Sequence, residues 1–221
     1  MSRTAKIAPF AGVLALITLA GGASLIVSQT KVSPDAIRSS VTRSEAGVEK
    51  AWKLPAASTF RRELTWQSNP SLRGPASIAN ALRSLGEVAT SENLVLAGTG
   101  RCWTGICFMG LTLDELAEIT RLKTKRTVTV LRDLSPDQFQ QHLRRANETG
   151  RRYIINFSRK EIFGAGTGHH SPIGGYLEAE DMVFVLDVNR DYQPWLIARA
   201  RLFAAMDTWD GEKKRGLLLI E

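Results

Sequence analysis

At 221 residues, with 43% hydrophobic and 23% charged residues, the chain has the size and balance of one globular domain with a sizeable core, which argues against disorder. The net charge of +7 favours acidic partners. The basic residues are dispersed, however, and no basic run is interleaved with aromatics, which argues against nucleic acid as the partner.

Arg3 and Lys6 precede an uncharged stretch at 7–27 rich in Ala, Leu, Ile and Val. Residues 1–28 therefore read as a signal peptide or a membrane anchor, long for the first and just sufficient for the second. The positive N-terminus stays inside, so the remainder is expected in the periplasm or another extracytoplasmic space, held at the inner membrane if the segment is uncleaved. Residues 29–43 are polar, contain Ser33-Pro34 and read as a linker with one short helix. The domain proper is expected over 44–221. A helix over 45–53 stops at Leu54-Pro55, because the residue before proline avoids the helical region.

A second helix follows Gly74. Pro75 suits its first turn, Ala76, Ile78, Ala79, Leu82 and Leu85 form its apolar stripe, and Gly86 closes it. Residues 91–108 read as a loop. Its cysteines, Cys102 and Cys107, are the two in the chain. In an exported protein they fit a small disulfide loop, although the spacing also suits two separate buried thiols; structural zinc wants four ligands. Thr112 and Glu115 make a capping box for the next helix. A strand is expected at 127–131, a helix at 137–148 behind Ser135-Pro136 with His142 partly exposed, and a buried strand at 152–158.

Two of the three histidines follow in Gly166-Thr167-Gly168-His169-His170. Strands at 171–177 and 182–188, joined by a short polar link, predict a β-hairpin. Antiparallel pairing would bring His169, before the first strand, to Asp187, near the end of the second. A histidine oriented by a carboxylate is the base half of a nucleophile–base–orienter triad; the plainer alternative is a surface hairpin with a chance pair. An extended segment at 194–197, a helix at 199–206, a polar turn at 208–214 and a closing strand at 215–220 complete the chain.

The run Gly-Thr-Gly-His-His-Ser-Pro-Ile-Gly-Gly-Tyr, followed by Leu186-Asp187-Val188, resembles the histidine and aspartate segments of the phytochelatin synthase family, papain-like cysteine transferases. Gln67, Asn69, Gly74, Ala76 and Ser77 match the family's nucleophile segment, Gln-x-Asn-x-x-Tyr-Cys-Gly-x-Ala-Ser, in register. The resemblance covers about 44–221. It implies a papain-like α+β fold, a helical half followed by a largely antiparallel half, with the site in the cleft between them. It implies that His169 is the general base and Asp187 its orienter. Gln67 becomes the oxyanion-hole donor. His170 stands where the family often has an aromatic or aliphatic residue. Arg215 is a candidate for a substrate carboxylate, with a solvated strand end as the alternative.

The family's activity is γ-glutamylcysteinyl transfer from glutathione through an acyl-enzyme, with release of glycine. It depends on heavy-metal ions or metal–glutathione thiolates and serves metal detoxification. The expected partners are therefore glutathione or similar anionic peptides and heavy metal. The sequence departs from the pattern at one decisive place, because the cysteine position holds Arg73. A guanidinium offers no nucleophile and sits poorly at a helix N-terminus. Ser71 and Ser77 are out of position to replace it. Two functions follow: a catalytically impaired relative of these enzymes, or an exported pseudoenzyme that binds glutathione-like peptides or a partner protein.

Overall fold

The computed structural model describes residues 31–102, 106–107 and 110–221. The expected signal or anchor at 7–27 lies outside the described residues, and among these no helix is long and apolar enough to cross a membrane.

The β half is one six-stranded antiparallel sheet. Its strands are β1 (Val128–Leu131), β2 (Arg152–Ser158), β3 (Gly168–Leu177), β4 (Met182–Val185) and β5 (Trp195–Ala198), closed by β8 (Leu217–Ile220). Their spatial order is β1-β8-β2-β3-β4-β5. Two-residue strands β6 (Trp209–Asp210) and β7 (Lys213–Lys214) pair separately in the turn before β8.

Strand side chains alternate between faces, and β2 shows the consequence. Tyr153, Ile155 and Phe157 enter one core with Trp195 and Leu219. Ile154 enters another, with Leu218, Ile220 and the helical half. That half comprises α3 (Arg73–Ser84), α4 (Glu92–Leu96) and α5 (Leu113–Arg121). Thr112 and Glu115 form the expected capping box on α5, while α4, capped by Ser91, falls within the stretch read as loop. The far face carries α6 (Pro136–Arg145), α7 (Arg159–Phe163) and α8 (Arg199–Met206).

The hairpin forms as its spacing predicts, with β3 running three residues further toward the N-terminus than expected. A bulge between Ile173 and Gly175 explains the paired glycines: Gly175 has φ +157°, and a Cβ there would lie 2.6 Å from Asn147 Oδ1.

Two boundaries need correction. The stretch 29–43, read as a linker with one short helix, carries that helix, α1 (Pro34–Ser40), capped by Ser33, but is docked on the domain, and Thr42 bridges to Leu196. Val32, Ile37 and Val41 are buried in the core that holds Phe157 and Trp195. Three widely spaced apolar residues in a polar stretch are easily read as solvated, yet they suffice to dock one helix. The helical half is expected over roughly 45–148, but its first helix, α2 (Glu45–Trp52), packs on the sheet instead, where Trp52 meets Phe184 edge-on at 5.1 Å.

Candidate active site

His169 and Asp187 meet as the hairpin requires, with Nε2 of the imidazole 3.0 Å from Oδ1 of the carboxylate. Asp187 is fully buried and saturated with donors: Arg159 Nη2 at 2.8 and 2.9 Å from its two oxygens, the Asn189 N–H at 2.9 Å and the Trp195 indole N–H at 3.3 Å. Arg159 also lies 3.0 Å from His169 Nε2 and stacks on the Tyr192 ring at 3.5 Å. Phe157 packs edge-on to His169 at 5.6 Å.

The pair is thus a triple, and sequence reasoning passed over Arg159 and Trp195. The signal for Arg159 lay in the strand register. Phe157 is opposite His169 and Ser158 opposite Gly168, so the next residue emerges beside the histidine. Electrostatically Arg159 governs the site. Burial would raise the Asp187 carboxyl, but the Arg159 guanidinium and His169 hold it at about 2. Burial and then Arg159 depress the His169 imidazole to about 4, against the pull of Asp187. Arg73 lowers it too, but by less than Arg159.

The opposite wall is the start of α3. Asn69 accepts from the Ser71 N–H and caps a 3-10 turn, Pro70–Leu72, that runs directly into the helix. Arg73 therefore begins α3, its Nη1 donating to the Pro70 carbonyl at 2.9 Å. Its other terminal nitrogen lies against Gly110 (φ +81°), where a Cβ would stand 2.8 Å from Nη2. Cys102 and Cys107 are joined by a disulfide, and the Cys107 N–H donates to Ser71 Oγ, supporting the same turn. Ser77 Oγ bonds the Arg73 and His170 carbonyls. Neither serine offers its oxygen to His169.

The cleft has two chambers with Arg73 and residues 166–168 at their junction. The outer one, about 730 Å³, is lined by Gln67, Arg159 and His169, and Lys31 and Ile37 close one side. The inner one, about 710 Å³, holds Asn156, His170, Asp210 and Arg215. His169 and His170 face different chambers because successive strand residues point to opposite faces. Arg215 is not a solvated strand end. It pairs with Asp210 at 3.0 Å and donates to Asn156 at 2.9 Å. Arg73 Nε, Gln67 Oε1 and both ring nitrogens of His170 are buried without a hydrogen-bond partner among the described residues. Also among the described residues, no three His, Cys, Asp or Glu side chains group as ligands for a metal ion.

Known proteins resemble the chain in sequence and in fold. The glutathione gamma-glutamylcysteinyltransferase of Schizosaccharomyces pombe is 29% identical over 117 residues, 51% of this chain and 28% of that protein. Glutathione gamma-glutamylcysteinyltransferase 1 of Arabidopsis thaliana is 36% identical over 88 residues, 38% of this chain and 18% of that protein. The chain thus matches less than a third of the length of these relatives. Among solved structures, a C39-like peptidase from Bacillus anthracis superposes with a TM-score of 0.51 at 12% identity, over 73% of this chain and 96% of that one, a likeness of fold alone. The fold is papain-like α+β. The sequence model of the phytochelatin synthase family matches residues 27–217, and the chain belongs to that family.

Proposed function

We propose that this protein binds γ-glutamyl peptides of the glutathione kind in its cleft without forming an acyl-enzyme. The observation that carries the reading is Arg73 at the first position of α3, where the family pattern has the cysteine. The remaining machinery supports binding. Gln67 borders the chamber of His169. Arg215 suits the carboxylate of a γ-glutamyl end, and Asp210 beside it suits the amino group. The cysteinyl carbonyl, which a nucleophile at position 73 would attack, then comes to rest at Arg73. A heavy metal enters this reading as cargo on the peptide thiol. The localisation proposed with it is extracytoplasmic, from Arg3, Lys6 and the uncharged run at 7–27.

Loss of a triad nucleophile lowers turnover by about 10⁶-fold. The test is glycine release from glutathione by the native protein, by Arg73→Cys and by Arg73→Cys/His169→Ala. The native protein is expected to release none. Arg73→Cys should recover release by placing a thiolate at the helix N-terminus, and the double variant should lose it. Robust turnover by the native protein would overturn the reading.

A further inference from the structure

Arg73 is a half-buried cation without an ion pair: no carboxylate of the described residues bonds it, the nearby Asp210 is paired with Arg215, and the remaining residues of the chain contain neither Asp nor Glu. Its Nε is buried and lacks an acceptor among the described residues. The imidazole of His170, only 2% exposed, borders the same inner chamber with neither nitrogen bonded among the described residues. Buried polar groups are nearly always partnered, and an uncompensated buried charge is costly. Two unsatisfied donors flanking one chamber, with Arg215 at its other side, describe a receptor awaiting an anionic oxygen.

The identity of that oxygen follows from where Arg73 stands. Resting on the reading above, the ligand's cysteinyl carbonyl lies at position 73. In glutathione this carbon is a neutral amide that continues into glycine. In the dipeptide γ-glutamylcysteine it is a free carboxylate. Arg73 also borders both chambers, where they meet.

We infer that Arg73 and His170 form a chain-terminating carboxylate subsite, and that the protein selects γ-glutamyl dipeptides with a free C-terminal carboxylate over the tripeptide. The guanidinium supplies the charge-assisted hydrogen bond, and the neutral imidazole supplies one N–H. A hydrogen bond to a charged partner of this kind corresponds to roughly ten- to a hundredfold in affinity.

The test is calorimetric titration of the native full chain with three S-methylated probes: γ-glutamylcysteine, its C-terminal amide, and glutathione. The free dipeptide should bind at least about tenfold more tightly than either of the others. Arg73→Lys should keep a preference, and Arg73→Gln should remove it while still binding all three. Equal affinities, or a preference for the tripeptide, would overturn the carboxylate subsite and leave the γ-glutamyl reading standing. Failure of the native protein to bind any of the three would overturn both.

Discussion

Asp187 and Arg73 come from opposite halves of the molecule, the first fully buried behind His169 and the second half-buried at the start of α3. Asp187 accepts from Arg159, His169, Trp195 and a backbone N–H, so its oxygens are spoken for. Arg73 spends one nitrogen on the Pro70 carbonyl and leaves Nε bare. A saturated buried charge is part of the architecture, because removing any partner strands the others. An unsaturated one is left open to a ligand of the kind proposed above. The Asp187 side of the site is therefore built as structure, and the Arg73 side is the one the proposal makes a receptor.

The largest effect should come from breaking the saturated side. Asp187→Ala strands Arg159 without a carboxylate and should cost about 3–5 kcal/mol, read from urea unfolding at pH 7. A loss below about 1 kcal/mol would contradict the contrast drawn here.

Acid attacks the same side without mutation. The folded-state pKa of His169, about 4, lies below its unfolded value near 6.5, so the unfolded chain takes up the proton first. Stability is full above pH 6.5, falls as pH drops toward 4 and levels below it, with His169 contributing on the order of 3 kcal/mol. His170, depressed by burial and by Arg73, acts in the same direction. Asp187 adds a further loss as pH falls from about 3.8 toward about 2. Unfolding free energies at pH 7, 5.5 and 4 should show this decline, and His169→Gln should flatten it.

The receptor side leans on the disulfide through the Cys107–Ser71 hydrogen bond and the Gly110 contact. Cys102→Ser/Cys107→Ser should lower stability by about 2 kcal/mol for so short a loop. Thiol titration of denatured, unreduced native protein should find no free thiol.

The smallest effect should have the opposite sign. Arg73→Met removes a cation from a helix N-terminus and should raise stability by about 0.5–1 kcal/mol while abolishing the preference for a free carboxylate. Stabilisation with loss of that preference, checked by unfolding and calorimetry together, would mark Arg73 as held for its ligand.

Much of the site was legible before any fold. The register of the Gln67-to-Ser77 segment and the hairpin spacing of His169 and Asp187 were local patterns, and local patterns survive folding when caps and turns agree with them. What escaped detection was non-local. Arg159 reads as one more dispersed basic residue until the pairing of β2 with β3 sets it beside His169. Val32, Ile37 and Val41 read as exceptions in a polar linker until a core forms to receive them.

From the sequence by itself came the family pattern, the papain-like α+β class, the hairpin and the absence of a cysteine at position 73, because each depends on residue type and short spacing alone. Only the tertiary structure decided how those residues are charged and satisfied. Burial beside Arg159 makes His169 a neutral imidazole. The division of the cleft separates His169 from His170, and the pairing of Asp210 with Arg215 leaves Arg73 without an ion pair among the described residues. Solvation and pairing are properties of neighbours brought together from distant parts of the chain, and no stretch of sequence specifies them before the chain is folded.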